Sequence, residues 1–565
     1  MSHSSHAPQS PVPRRETAGA PSQSPPKNAA AASSQSPHRN PNTAPVTLRE
    51  FARYALMNVL GMAGLSCYIL ADTFFVANGL GTEGLAALNL AIPAYNLLHG
   101  VGLMLGMGGA TKYAVFRAQG KRRQADLAFT AALLGAFGAA LLFILFALLG
   151  AAPVAAALGA RGEVLVMTRT YLRTLLLFSP AFLANDVLLC FVRNDGRPEI
   201  AMRSMLAGSF SNIVLDYLFI FPLGMGIFGA VFATGLAPII SVLLLTGFLR
   251  SPQRGFALVL PERLHWQTAD CQRSPRRGFC AVLQERLHRQ TGNCQRSPRR
   301  GFSSVLPECL RWPIVDCLRS PRRGSCAAQS CRFEEKAARS HPSENAPRLS
   351  LSFFTGLLSL GFPSLVTELS SGVVMVVFNV LVMRLAGTVG VAAYGVVANL
   401  SLVVLAVCTG LAQGMQPLAS RAHGGGDRFG VRRVFTYALT SALLLSLALY
   451  GLIFALAEPI TAVFNAEHDL QLQGIAASGL RLYFLGAPFA AVNILLCMAF
   501  ASTERPRPAQ LLSLGRGFYA IVPLAFLFAS LGGLTGVWLS FPVTEIVMLA
   551  AGVLCALYPT AKPTR

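Results

Sequence analysis

The sequence predicts an all-α integral membrane protein, with twelve transmembrane helices in two six-helix lobes related by a parallel pseudo-two-fold repeat. Three observations carry that reading. Of 565 residues, 13% are charged and 53% hydrophobic, with a mean hydropathy of +0.51; a soluble domain carries about 25% charged residues. Residues 84–111, 127–160 and 435–457 hold no Asp, Glu, Lys or Arg, and about 20 mostly apolar residues suffice to span a bilayer. Finally, the two halves repeat. "GTEGLAA" (81–87) matches "GTVGVAA" (387–393) at five of seven positions, and at the same offset Gly108 falls on Gly414 and Gly120 on Gly426.

Taken in order, residues 1–46 are polar and rich in Ser, Pro and Ala. They read as a disordered tail without a cleavable signal peptide. Six apolar stretches follow, at 51–77, 85–111, 126–150, 164–192, 199–222 and 227–249, forming a first lobe over 47–250. A second lobe over 350–558 holds spans at 351–383, 388–412, 432–456, 471–500, 508–531 and 535–557, before a short tail, 559–565. "GRP" (196–198) and "PRP" (506–508) sit at equivalent later loops. Basic loops, "KYAVFRAQGKRR" (112–123), "RNDGRP" (193–198), "RAHGGGDRFGVRR" (421–433) and "ERPRP" (504–508), alternate with "GLGTEG" (79–84), "GARGEV" (159–164), "LGMG" (223–226) and "AEHD" (466–469). The positive-inside rule makes the basic side cytoplasmic, with both termini and the central insert inside and the protein multi-pass in the inner membrane. Each half has an even number of spans. The repeat axis therefore runs along the membrane normal, with a cavity between the lobes.

The insert, 251–349, has a period of 23 residues: "SPQRGFALVLPERLHWQTADCQR" (251–273), "SPRRGFCAVLQERLHRQTGNCQR" (274–296), "SPRRGFSSVLPECLRWPIVDCLR" (297–319) and a partial "SPRRGSC" (320–326). Copies this basic and this poor in apolar surface build a poor core, so the insert reads as a disordered tandem expansion; contact with anionic lipid is a second reading. Residues 250–350 carry 19 Lys/Arg and 8 Asp/Glu, half of the formal net charge of +22. That distribution belongs to a transporter with basic loops, and no nucleic-acid partner is expected. The cysteines form no CxxC pair and no disulfide framework.

Charged groups at membrane depth are costly and face a cavity, a partner or an ion. Three first-lobe spans carry notable polar groups, two of them acidic: Asp72 in "YILADTFFVANG" (68–79), Asn212 and Asp216 in "FSNIVLDYLFIF" (210–221), and Thr234 in "GAVFATGLAP" (229–238). Asn212 and Asp216 share a helix face at i and i+4. At about 1.5 Å per residue from the acidic-side turns, Asp72 lies roughly 10 Å deep, Asp216 roughly 12 Å and Thr234 roughly 15 Å. Three spans therefore bring oxygen-bearing side chains to one layer, with Asn212 a turn deeper. Such a set binds a hard monovalent cation or shares a proton, and burial with a second acid nearby disfavours the fully charged state. The second lobe has no counterpart: Asp72 falls on Phe378, and Asn212 and Asp216 fall near Ala520 and Leu524. Glu368 in "GFPSLVTELSSG" (361–372) is a candidate for contact with a cationic substrate across the cavity. Asp186 reads as structural or at the cavity mouth, and Glu545 is open. Pro180, Pro238, Pro363, Pro488 and Pro542 interrupt spans and offer hinges or static kinks.

At these residues the chain resembles the multidrug and toxic compound extrusion (MATE) family. The motifs are "ADTFFVANGLGTEGLAALNLAIP" (71–93), "FVRNDGRP" (191–198), "SNIVLDYLFIFPLGMGIFGAVFATGLA" (211–237), "GVAAYGVVAN" (390–399), "GLAQGMQPL" (410–418) and "ASTERPRPA" (501–509), covering about 47–250 and 350–557. The resemblance implies export of amphipathic organic cations driven by inward Na⁺ or H⁺. It also implies a first-lobe cation site at Asp72, Asn212, Asp216 and Thr234, with Glu368 matching an acid used in some branches. The expectation is a secondary active antiporter rather than an enzyme. It would have no catalytic residues, no cofactor, no metal beyond Na⁺ at the coupling residues, and small-molecule cations and membrane lipids as partners of a monomer. Two rival readings are a lipid-linked oligosaccharide flippase, for which Arg169 and Arg173 are the deepest arginines, and a non-transporting membrane scaffold that recruits a partner through its insert.

Overall fold

The computed structural model describes residues 46–259, 350–464 and 469–557. The expectations for the tail 1–45, for the repeats beyond residue 259 and for residues 558–565 lie outside the described residues. Among the described residues all regular structure is helical. The first lobe comprises α1 (Leu48–Ala118), α2 (Arg122–Leu149), α3 (Ala151–Ala157), α4 (Gly162–Leu177), α5 (Ser179–Asn194), α6 (Pro198–Ile220) and α7 (Gly226–Leu249). The second comprises α8 (Leu351–Gly424), α9 (Arg428–Ala455), α10 (Ala457–Phe464), α11 (Leu470–Tyr483), α12 (Ala487–Ser502), α13 (Pro506–Leu514) and α14 (Ile521–Leu557).

Two of these helices are double spans. α1 breaks at Gly81 (φ +67°, ψ −157°) and α8 at Gly387 (φ +62°, ψ −154°), backbone values open to glycine and closed to nearly everything else. The repeated Gly-Thr motif thus marks the same fold-back in each lobe. Gly533 (φ +56°) splits α14 in the same way. α4 and α5 form one span bent by 50° at Phe178. α11 continues into α12 through a 3₁₀ turn, Phe484–Gly486, and α13 into α14 through a π-helical turn, Gly515–Tyr519. With α2, α6, α7 and α9 as single spans, twelve crossings result, where the sequence expects them. α6 is the span whose composition is least apolar, because Arg203, Asn212 and Asp216 lie along it.

Of the prolines, Pro180 and Pro488 start helices at these bends. Pro238, Pro363 and Pro542 sit inside helices that continue past them. The equivalence of "GRP" with "PRP" shifts by two residues. α6 opens at Pro198 and α13 at Pro506, which sets Gly196 (φ +93°) against Glu504 (φ +54°), a left-handed residue with a side chain.

Leu141, Leu142 and Leu149 of α2, and Leu444 and Leu447 of α9, are exposed. In a bilayer they are the lipid face. Inside, the first lobe packs Leu98, Leu175, Leu183, Val187 and Phe191; the second packs Phe378, Tyr394, Phe484 and Trp538. The lobes meet along α1 and α8, and at three glycines of this seam the backbones approach too closely for a side chain. A Cβ on Gly108 would strike the backbone of Leu357, one on Gly361 the backbone of Met104, and one on Gly414 the backbone of Ala55 at 2.8 Å. At the end of the bundle bearing the basic loops, Phe51, Tyr54 and Ala55 join one apolar cluster with Cys408, Leu411 and Met415.

Candidate functional site

Asp72, Asn212, Asp216 and Thr234 are all buried, Asn212 and Asp216 completely. The fold explains their convergence. α6 and α7 are adjacent antiparallel spans joined by a tight turn with left-handed Gly224 and Gly226. The end of α1's first limb lies against α6, where Gly79 leaves room for Ile220 and Phe221. With its amide oriented to suit both neighbours, Asn212 donates to Asp216 Oδ2 at 3.1 Å and accepts from the backbone N–H of Thr234 at 3.2 Å. The Thr234 hydroxyl donates to the Ala230 carbonyl at 3.0 Å, and its oxygen keeps the capacity to accept. Asp216 and Asp72 each keep one buried oxygen, Oδ1, without a hydrogen-bond partner. Asp72 lies within electrostatic range of Asp216, and Tyr68 and Tyr171 close the layer beside them. Buried polar groups are normally paired. Two orphaned carboxyl oxygens in one layer, with a hydroxyl and an amide, are the donor set of a small cation or a shared proton.

A first-lobe cavity touches this layer at Thr234, without reaching Asp72, Asn212 or Asp216, and is lined by Ser209, Tyr68, Tyr95, His99, Asp186 and, from the second lobe, Gln413 among others. A second cavity, lined by Glu368, Thr367, Met498 and Arg516, adjoins it at Leu103 and Gln413. Between them stands a cluster the sequence reading passed over. His99 Nδ1 lies 3.0 Å from Asp186 Oδ2, an ion-pair distance without the alignment of a hydrogen bond. Its ring stacks on Tyr95 (centroids 6.0 Å apart, planes 15° apart), whose hydroxyl is 2.6 Å from that of Tyr68. Glu368 reaches the same histidine's field from the other lobe. Two glycines permit this: a Cβ on Gly102 would stand 3.0 Å from the Asp186 Cβ, and one on Gly100 3.1 Å from the Glu368 Cβ. Asp186 is therefore on the wall of the first cavity, and Glu368 lines the second. The missed signal was a single His inside an otherwise uncharged span.

One arginine differs from its sequence reading, and another was passed over. Arg193, read as a loop residue, is 4% exposed. It donates to Asn58 Oδ1 at 2.8 Å and to Gln413 of the other lobe. Asn194 donates to Gln416 at 2.9 Å, and Gln416 in turn to Thr111 at 2.9 Å; Arg421 pairs with Glu50 at 2.8 Å. Polar ties thus join the lobes from Asn96–Ser371 (3.3 Å) to the basic end. Arg516, carried inward on the π turn, meets Glu545 in a two-pronged pair (2.8 Å for each prong), and Asn493 donates to the same carboxylate at 2.7 Å. Glu545 is thereby neutralised and structural. Among its described residues the second lobe has this closed pair and no equivalent of the Asp72–Asp216 layer. Arg169 and Arg173 are exposed and outside both cavities.

The family model MatE matches residues 59–218 and 363–527, more than half of the chain. Among curated proteins, the multidrug export protein MepA of Staphylococcus aureus (strain MRSA252) is 27% identical over 195 residues, which is 34% of this chain and 43% of that protein. The protein of the same name from Staphylococcus saprophyticus is 29% identical over 186 residues, 32% of this chain and 41% of its own. The matched region thus spans less than half the length of these relatives. Among solved structures, an outward-facing conformation of a multidrug resistance MATE family transporter of the MOP superfamily superposes with a TM-score of 0.70 at 20% identity, covering 90% of this chain and 94% of that one. A MOP superfamily transporter from Pyrococcus furiosus, described as having a binding pocket of reverse polarity, gives the same score, identity and coverage. These structures share the two-lobed, twelve-helix fold, and the family model matches on both sides of the repeat; the chain belongs to the MATE family.

Proposed function

We propose that the protein is a cation-coupled antiporter of the inner membrane that exports amphipathic organic cations in exchange for Na⁺ or H⁺. One observation carries the reading: two buried carboxyl groups in the first lobe, each with a partnerless oxygen, share a layer with Asn212 and with Thr234, which also lines a first-lobe cavity reaching Gln413 of the second lobe. Asp72 and Asp216 hold the coupling ion, aided by Asn212 and Thr234. Glu368 and the aromatic wall of Tyr68, Tyr95 and Phe182 receive the cationic substrate. The basic end is cytoplasmic, and the polar ties at that end support an outward-open resting state. Ion occupancy biases the choice between that state and its inward-open alternative. The names of the curated relatives, multidrug export proteins, support the substrate class.

The test is efflux from proteoliposomes under separately imposed Na⁺ and pH gradients, for the wild type, Asp72→Asn and Asp216→Asn. Uphill export driven by one gradient and lost in both variants is expected. A chain that retains uphill export with both carboxyls neutralised does not couple through this layer. A chain that works as a scaffold instead loses function on deletion of 251–345 and keeps it in the two Asn variants.

A further inference from the structure

Residues 251–259, the start of the first 23-residue copy, double back after α7 across the basic end of the first lobe. Phe256 is 1% exposed. Its ring lies against Phe129 (4.6 Å between centroids) and Phe191 (5.8 Å) and edge-on to Tyr113 (6.0 Å). Three backbone N–H groups are taken up by side chains of the lobe: Gly255 donates to Asp195 Oδ2 at 2.7 Å, Ala257 to Asp126 Oδ1 at 2.9 Å, and Val259 to Thr130 Oγ1 at 3.0 Å. Arg117 donates to the Gly255 carbonyl, and the Tyr113 hydroxyl holds Asp195 at 2.6 Å. Arg117 and Asp195 occupy the space a Cβ of Gly255 would need. The cleft therefore demands a glycine, then a phenylalanine, and reads the following residues through their backbone, as peptide-recognition clefts do.

The two residues the cleft grips most closely are kept in both further full copies. Gly255-Phe256 recurs as Gly278-Phe279 and Gly301-Phe302. Ser251, Pro252, Arg254 and Val259 recur as Ser274, Pro275, Arg277 and Val282, and as Ser297, Pro298, Arg300 and Val305. Positions 257 and 258, met only through the backbone or exposed, change to Cys280 and Ala281, then to Ser303 and Ser304. The partial fourth copy has Ser325 in place of the phenylalanine. One contact favours the first copy: Gln253 accepts from Arg197 at 2.6 Å, which Arg276 and Arg299 cannot do.

We propose that the cleft formed by Tyr113, Arg117, Asp126, Phe129, Phe191 and Asp195 is a docking site for a Gly-Phe-x-x-Val segment, and that the second copy, 274–282, is its alternative occupant. A copy tethered one repeat away presents itself at the high effective concentration of a short linker. Each exchange takes 23 residues out of the connection to Leu351.

The test uses the full chain with Asp126→Cys, oxidised mildly in membranes, the linked peptides being identified by mass spectrometry. Ala257→Cys in the same background is the control and links 126 to 257. In Asp126→Cys alone the natural Cys280 links weakly; adding Phe256→Ala raises the 126–280 link at least about tenfold, since losing a buried phenylalanine costs far more than that factor. Gln253→Arg, which leaves the buried ring in place, raises the same link more modestly and covers the case in which Phe256→Ala does not fold. Formation of the control link with no 126–280 link in either variant overturns the proposal.

Discussion

Asp216→Asn offers the sharpest test of the cation layer without a transport assay. Each buried, partnerless carboxyl oxygen costs about 1–3 kcal/mol, so Asp72 Oδ1 and Asp216 Oδ1 together cost about 2–6 kcal/mol until an ion satisfies them. An ion present at about 100 times its dissociation constant adds about 2.7 kcal/mol to the folded state. At an unfolding entropy of about 2.1 cal/mol/K per residue, over the roughly 420 described residues, that raises the apparent unfolding midpoint by about 3 °C. The assay is thermal unfolding in detergent. One series replaces choline with Na⁺ at fixed pH, and the other lowers the pH without Na⁺. The wild type responds in one series, and the difference from Asp216→Asn isolates the layer from global pH effects. In ion-free medium at neutral pH the variant is at least as stable as the wild type, because a charge has left a dry layer. Equal responses of wild type and variant in both series refute the reasoning.

Four further outcomes follow from the geometry. Glu545→Gln leaves the buried Arg516 unpaired and lowers stability by about 3–5 kcal/mol, while Arg516→Met with Glu545→Leu recovers most of it; chemical unfolding distinguishes the two. Gly81→Ala meets no neighbouring atom, so its cost of about 1–3 kcal/mol is purely backbone, and Gly387→Ala matches it in thermal unfolding. Arg193→Met cuts the ties to Asn58 and Gln413; spin labels at Lys121 and Arg428 then report longer inter-lobe distances at the basic end. His99→Gln flattens the pH profile of efflux while Asp216→Asn abolishes efflux, a split that separates the lobe-interface cluster from the cation layer.

Much of this was legible because an apolar background makes every polar residue conspicuous. Asp72, Asn212, Asp216 and Thr234 stood out one by one, and the fixed rise of a helix set them in one layer. The fold-back at Gly81 and Gly387 was visible as a repeated motif, although only the structure showed why both positions must be glycine. The failures share a cause. His99 escaped a reading that counted formal charges. Arg193 looked like a loop cation because burial between lobes depends on packing across more than 200 residues of chain. Arg516 and Glu545 are 29 residues apart on spans whose facing depends on a π turn, which no periodicity announces. Phe256 was hidden in a segment that composition alone assigns to a disordered expansion.

The glycine seam between α1 and α8 has a mechanical corollary. Interdigitated side chains lock two helices at preferred angles, and sliding them requires many rotamers to change together. Here the backbones of Gly108 and Leu357, and of Gly361 and Met104, come together with no side chain between them, so this stretch of the seam is smooth. One lobe can pivot on the other there as on a plain bearing, with friction supplied at the basic rim by the hydrogen bonds and by the apolar cluster of Phe51 and Tyr54 with Leu411 and Met415. A single bulky residue set into that seam would jam the pivot while leaving each half intact.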